Sequence, residues 1–133
     1  MSKVLWKRDL KLALRIHLLR CYVFSVLLYD VESWTVNKID LNRLDTFEKW
    51  CYRRILKVSW VEKIRNSTIL ERLSKTIEII KSIKQRKLEY FGHVMRGPKY
   101  RLLQNIMQGK IAGKGSPGRR RTSWLKNLRQ WYD

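Results

Sequence analysis

Apolar residues recur at intervals of three or four through most of the chain, and this spacing limits the folds that it can adopt. One such series is Leu44, Phe47, Cys51, Ile55 and Val58. Because an α-helix has about 3.6 residues per turn, these side chains share one helical face. No convincing alternation of apolar and polar residues indicates a strand, and the sequence shows no internal repeat. We therefore predict an all-α fold.

Helix-capping and helix-breaking residues divide the chain into about six helices. An N-cap side chain accepts a hydrogen bond from a free backbone N–H of the first turn, whereas proline cannot continue a helix. We predict an apolar first helix within residues 5–26 and a short last helix that follows a basic, glycine-rich loop. The boundary signals are the N-cap candidates Asn37 and Ser123, the capping-box pair Thr68 and Glu71, and the stop residues Pro98 and Gly109.

The length of 133 residues suits one domain of ordinary size. Hydrophobic residues make up 44% of the chain and include six tryptophans, so there is enough apolar material to offset the ordering entropy of a core. We predict a helical region over residues 1–96 and a basic C-terminal segment over residues 97–133, which together form one structural unit.

Positive charge dominates the composition. Lysine and arginine number 30 against 11 aspartate and glutamate, which gives a net charge of +19. Self-repulsion on this scale is usually balanced by a polyanionic partner. Residues 96–133 hold ten basic residues and a single acidic one, Asp133. RNA and/or DNA is therefore the leading candidate partner, and an anionic membrane surface is the second.

Charged residues interrupt the apolar N-terminal region. Its longest uncharged run is residues 21–29, which is far shorter than the ~20 residues needed to span a bilayer. We predict neither a signal peptide nor a membrane span, and we expect the protein inside the cell, in the nucleus and/or the cytoplasm.

The glycine-rich stretch "GKIAGKGSPGRRRTSW" at residues 109–124 is the strongest candidate for contact with a polyanion. Its glycines let the backbone follow an irregular surface and donate to phosphate oxygens, and forked guanidinium groups match phosphate geometry. A solvated linker is the alternative. The predicted phosphate contacts are Lys110, Lys114, Arg119, Arg120 and Arg121, extended by Lys126 and Arg129.

Two further sets of residues have two interpretations each. Trp124 and Trp131 follow the basic stretch, where their rings stack on bases or pack the last helix onto the core. Arg53, Arg54 and Lys57 form either a second strip of phosphate contacts or a solvated helix face.

Catalytic and metal-binding patterns are weak in this sequence. The stretch from Gly109 to Lys114 is one residue short of a Walker loop, and Gly115 occupies the Ser/Thr position. Cys21 and Cys51 have no Cys-x-x-Cys spacing, and the carboxylates do not cluster as an acid–base or two-metal site. We predict no cofactor, no metal site and no enzymatic activity for this chain alone.

Four ordered motifs carry a family resemblance that covers nearly the whole chain. They are "LLYDVESWTV" (27–36), "RLDTFEKWCYRRILKVSW" (43–60), "RKLEYFGHVMRGPKYRLLQ" (86–104) and "GKIAGKGSPGRRRTSWLKNLRQW" (109–131). In these motifs the chain resembles the C-terminal region of LINE-type, non-LTR retrotransposon polyproteins. Such transposable elements encode a polyprotein that joins an endonuclease to a reverse transcriptase. The resemblance implies that the first helices belong to the polymerase thumb or its junction, and that the remainder engages template RNA and target DNA.

The chain also departs from that family. It lacks the F/Y-A-D-D box and the upstream palm aspartate that hold the catalytic metals, the endonuclease, and the Cys/His zinc knuckle of some relatives. The resemblance therefore implies a nucleic-acid-binding fragment of an RNA-directed DNA polymerase, with the palm and fingers of the parent polymerase as protein partners.

Two other function classes stay open at the level of sequence. The apolar first segment is compatible with a helical protein-interaction module that packs on a polymerase palm, in which case the isolated chain would self-associate. Basic helices with tryptophans are also compatible with a membrane-surface binder.

Overall fold

The computed structural model describes residues 10–74, 76–108, 117–118 and 123–132, and these residues are helical with no strand among them. The predicted all-α fold is confirmed. The helix α1 comprises Leu12–Leu18, a π-helical stretch Leu19–Phe24, and Ser25–Leu27. The remaining α-helices are α2 (Lys38–Leu56), α3 (Asn66–Leu73), α4 (Ile79–Arg96), α5 (Arg101–Gln108) and α6 (Trp124–Tyr132), with 3₁₀ turns at Trp60–Glu62 and Pro98–Tyr100.

Backbone contacts divide the chain into two units. Unit 1 contains the residues up to Tyr29 together with Ile39–Lys81, and unit 2 contains Asp30–Lys38 together with Ser82–Asp133. The short segment before α2 thus groups with the C-terminal half, an association that the predicted segments 1–96 and 97–133 did not include. Side-chain hydrogen bonds also join this segment to α6.

In unit 1 the apolar faces of the helices form the core. The core residues come from α1, α2, α3 and the first turn of α4: Ile16, Leu19, Phe24, Cys51, Tyr52, Ile55, Ile69, Leu73 and Ile79. The buried carboxylate of Glu48 accepts hydrogen bonds from the backbone N–H groups of Glu78 (2.7 Å) and Ile79 (3.0 Å) and from the Tyr52 hydroxyl (2.9 Å). A side chain of α2 therefore caps the N-terminus of α4, where the helix dipole favours negative charge.

The π-helical stretch changes which side of α1 is buried. A 3.6-residue period predicts Val26 on the apolar face, but Val26 is 74% exposed. A π-helix turns less per residue than an α-helix, so side chains after it rotate away from the position that the α period assigns them. The apolar stripe predicted within residues 5–26 therefore does not continue to Val26.

The predicted capping box at Thr68 was also wrong. The helix α3 begins two residues earlier, at Asn66, so Thr68 lies inside it. A capping box does occur upstream, where Ser59 accepts from the Val61 amide (3.3 Å) and Glu62 accepts from the Ser59 amide (2.8 Å). Spacing alone does not distinguish the two positions, because both have an acidic residue three positions after a hydroxyl.

In unit 2 the last helix is bonded to the segment that precedes α2. Asn127 accepts from the Val36 amide (2.9 Å) and donates to the Val36 carbonyl (2.8 Å), across 91 positions of sequence. The indole N–H of Trp124 donates to the Glu32 carbonyl (2.6 Å). Ser123 accepts from the Lys126 amide (3.3 Å), which confirms the predicted cap of the last helix.

The stop signal at residues 96–98 also acts as predicted. The helix α4 ends at Arg96, and a Cβ on Gly97 would lie only 2.5 Å from Tyr100 Cδ2, so a side chain there would meet the ring. The Gln104 amide of α5 donates to the carbonyls of Val94 (2.9 Å) and Gly97 (3.1 Å). These bonds add a side-chain donor to carbonyls that also accept from the backbone amides of Gly97 and Tyr100.

Candidate nucleic-acid interface

The predicted contacts in the glycine-rich stretch lie outside the described residues. These are Lys110, Lys114, Arg119, Arg120 and Arg121. They stay predictions that rest on sequence and charge.

The predicted contacts on α6 are described and exposed. Lys126 and Arg129 face solvent, whereas Asn127 and Leu128 between them are buried. The amphipathic spacing of the helix thus places both cations where a phosphate can reach them.

Trp124 and Trp131 make intramolecular contacts within unit 2. The Lys87 ammonium lies 4.8 Å from the Trp124 ring centroid and 5.2 Å from that of Trp131. Tyr90 meets Trp124 edge to face, with 6.1 Å between ring centroids. Of the two roles considered for these tryptophans, the contacts favour packing over base stacking.

Lys87 is a buried cation that sequence reasoning missed. Its side chain is fully buried. Its ammonium donates to the Trp34 backbone carbonyl and lies 3.5 Å from the side-chain oxygen Oδ1 of Asn127. Burial disfavours the charged form and lowers the pKa of Lys87 to about 8. In the sequence Lys87 stands among other basic residues of an amphipathic helix, and nothing local marks it as buried.

The second predicted strip separates into one buried and two exposed side chains. Arg54 and Lys57 are exposed, but Arg53 is buried. The Arg53 guanidinium donates to Asn66 Oδ1 (3.0 Å) and to the Ile64 carbonyl and lies 4.4 Å from the Trp60 ring centroid. Because Arg53 holds the chain that follows α2, we leave it out of the proposed phosphate contacts and keep Arg54 and Lys57.

An aromatic cleft lies beside this strip in unit 1 and was not predicted. It is an open groove of about 490 Å³. The rings of Phe47 and Trp50 stack in it, with centroids 6.1 Å apart and planes inclined by 24°. The Arg54 guanidinium lies 5.1 Å from the Trp50 centroid. The residues that line the cleft are Ile39, Asn42, Arg43, Thr46, Phe47, Trp50 and Trp60.

The carboxylates are too few to neutralise the cations. Ion pairs link Arg20 to Glu78, Lys49 to Asp45, and Arg43 to Asp40. Even if each of the 11 acidic residues of the chain neutralised one cation, the net charge of +19 would remain. The protein therefore presents a strongly positive potential to any polyanion.

Neither a metal-binding cluster nor a membrane-spanning helix occurs in the described residues. His17 Nε2 and Cys21 Sγ lie 3.5 Å apart, but no group of three or more His, Cys, Asp or Glu side chains in the described part of the chain is arranged to hold a metal ion. None of the described helices combines the length and apolar content needed to cross a membrane.

Comparison with known proteins returned no match to a family model, to a curated protein or to a solved structure. The geometry and charge of the chain, together with the motif resemblance, are the grounds for the function proposed next.

Proposed function

We propose that the chain is a helical nucleic-acid-binding segment of a retrotransposon RNA-directed DNA polymerase. In this role it holds the sugar-phosphate backbone of template RNA and target DNA and has no polymerase or endonuclease active site of its own. The observation that carries the proposal is the net charge of +19 on a chain of 133 residues.

Charge density favours a polyanion over an ordinary protein partner. Backbone phosphates bind lysine and arginine irrespective of base sequence, and each contact releases condensed counterions. The exposed cations Arg54, Lys57, Lys126 and Arg129 supply such contacts in the described residues. The three arginines at positions 119–121 extend the set in the sequence.

The motif resemblance supports the polymerase context of this proposal. The motifs occur in the same order as in the C-terminal region of LINE-type polyproteins, where this region follows the palm. In that context the palm and fingers of the parent polymerase would supply the catalytic metals, and this segment would supply affinity for the nucleic acid.

The test is the salt dependence of binding. For about five phosphate contacts we expect the logarithm of the association constant to fall with the logarithm of salt concentration with a slope of about −4.5 on duplex DNA, and less steeply on single strands. Changing Arg119, Arg120 and Arg121 together to alanine should lower affinity and make the slope shallower by about 2 to 3. Fluorescence anisotropy with labelled RNA and DNA measures both quantities.

The matched control for this experiment is a triple alanine variant of basic residues in α4, the exposed Lys81 and Arg86 and the partly exposed Lys84. It removes the same charge from another part of the chain and should change the slope less. Binding that is insensitive to salt, or equal in the two triple variants, would contradict the proposed role of the arginines.

A second candidate function is a protein-interaction module that packs on a polymerase palm. It is favoured by one observation: Tyr22, Val26 and Tyr29, spaced four and three positions apart, are all exposed in and just after α1. An exposed apolar stripe of this kind is typical of a surface that another protein covers.

A further inference from the structure

The aromatic cleft of unit 1 combines exposed rings with positive charge. Trp60 is 65% exposed, although the Arg53 guanidinium lies 4.4 Å from its ring centroid. The indole therefore contacts a cation and still leaves much of its surface exposed to solvent. Trp50 has the same pattern, with Arg54 at 5.1 Å and a second ring, Phe47, beside it.

Among the described residues, none that lines the cleft carries a carboxylate. Arg43 is the charged residue among the lining side chains, and Asn42 and Thr46 are the polar ones. The ion pair of Arg43 with Asp40 is long (3.9 Å) and largely exposed, a type of pair that contributes little and that a phosphate can replace. The surroundings thus favour an anionic partner with flat apolar parts.

We propose that the aromatic cleft stacks the unpaired bases of a single-stranded nucleic acid on Trp60 and Trp50, with Arg43 and Arg54 on the adjoining phosphates. This inference rests on the proposed nucleic-acid binding and adds a strand preference to it. Unpaired bases offer free faces to aromatic side chains, whereas the bases of a duplex are already stacked on one another.

An apolar protein segment is the competing occupant, and the positive rim argues against it. An apolar helix or strand would gain little from the charges of Arg43 and Arg54 beside the rings. These two arginines instead place positive charge next to the rings. A phosphate backbone would pass there if its bases stacked on the rings.

The test compares Trp60→Ala with the wild-type chain on three labelled probes: a single strand of about 12 nucleotides, the duplex formed with its complement, and a strand of equal length in which every nucleotide is abasic. We expect Trp60→Ala to weaken binding to the single strand by roughly 5- to 100-fold and to change duplex binding less than about twofold. The abasic strand keeps its phosphates and loses its bases, so wild type and variant should bind it equally.

Two variants control for other causes. Trp60→Phe keeps an aromatic face and should retain most of the single-strand affinity. Tyr29→Ala removes an exposed ring of unit 1 that does not line the cleft and should leave all three affinities unchanged. Because Trp60 is largely exposed, its replacement should preserve the helical circular dichroism spectrum, which is recorded for each variant.

The outcomes separate this inference from the function on which it rests. If the wild-type chain binds none of the probes at low salt, the proposed nucleic-acid binding is itself wrong. If the wild-type chain binds, but Trp60→Ala loses no single-strand affinity or loses single-strand and duplex affinity equally, the stacking role is overturned and the binding function stands.

Discussion

Lys87 shows how much one residue depends on its surroundings. An exposed lysine keeps its ordinary pKa, but Lys87 is fully buried, with its ammonium close to two tryptophan rings. The ammonium also lies near two carbonyl oxygens, those of the Trp34 backbone and the Asn127 side chain. These contacts offset only part of the cost of removing an ammonium group from water. The lowered pKa is the measurable consequence.

The pH dependence of stability follows from that lowered pKa. Between about pH 8, the folded value, and pH 10.5, the ordinary one, Lys87 is neutral when folded and charged when unfolded. The unfolded state then binds more protons, so raising the pH across this window should stabilise the wild type relative to Lys87→Met, by at most about 3 kcal/mol. Urea unfolding of both proteins at several pH values measures the difference.

The pH dependence is measured relative to a variant because ionisable groups of unit 1 change the stability in the opposite direction as the pH rises. Burial raises the pKa of Cys51 to about 11 and also raises the pKa of Tyr52. Above its ordinary pKa and below the raised one, each group is protonated only in the folded chain, so stability falls as the pH rises through that window. Subtracting the Lys87→Met curve removes both effects. Lys81→Met, at an exposed position of the same helix, is the control. A pH trend that is the same for both variants would contradict the assignment to Lys87.

Arg53 and Arg54 are adjacent in sequence but differ in burial. In sequence Arg53 is equivalent to its neighbour Arg54, since both are basic residues in the last turns of α2. A rotation of about 100° per residue places one among the bonds to residues 64–66 and the other in solvent. Which arginine reaches a partner is therefore set by what packs beside α2.

At the scale of the element, α1 presents an apolar face without an observed partner in the described residues. Val26 is 74% exposed between Tyr22 and Tyr29. If this face mediates protein contact, the isolated chain should self-associate, and Val26→Asp should lower the average mass measured by size-exclusion chromatography with light scattering. A charge in the middle of an apolar interface is costly, so the effect should be a shift to monomer.

Leu102→Asp supplies the matched control for the α1 experiment. Leu102 lies in α5 and is 72% exposed, so the substitution adds the same charge at an equally exposed apolar position. It should leave the mass unchanged. A wild-type chain that stays monomeric over a wide concentration range would count against the protein-interaction candidate.

The helix ends show where local rules were sufficient. Ser123 caps α6 with its own hydroxyl, and Gly97 with Pro98 ends α4, and both were predicted from short stretches of sequence. The N-terminus of α4 instead takes its cap from Glu48, 31 positions away from Ile79. No local pattern reveals a cap that arrives from another helix.

At the scale of the whole molecule, net charge governs both stability and binding. A net charge of +19 destabilises a folded chain of this size through self-repulsion. Raising NaCl from about 0.01 to 0.15 M shortens the screening length from ~30 to ~8 Å. We therefore expect the thermal midpoint to rise by a few degrees over this range, measured by circular dichroism.

The same change in salt should weaken nucleic-acid binding, so stability and affinity should respond in opposite directions. A variant with Lys126→Gln and Arg129→Gln keeps two exposed side chains of similar length without their charge. Its midpoint should depend less on salt than that of the wild type. A midpoint that falls with added NaCl would show that attractive ion pairs outweigh the repulsion.

The all-helical fold and the positive potential were predictable because they depend on short-range patterns and on composition. The 3.6-residue period and the helix stop signals act within a few residues, and charge needs no structure to be counted. The candidate site was only partly predictable from the same information. The sequence pointed to Arg54, Lys57, Lys126 and Arg129, and these side chains are exposed.

Tertiary structure decided the features that join distant parts of the chain. Lys87 is buried because Asn127 and the segment around Trp34 meet α4, and the aromatic cleft exists because the turn after α2 brings Trp60 beside Trp50. The sequence by itself determined which helices form and how much charge they carry, since those follow from neighbouring residues. Which side chains are buried, paired or left open was decided by packing, because burial and hydrogen bonding depend on atoms up to 92 positions away.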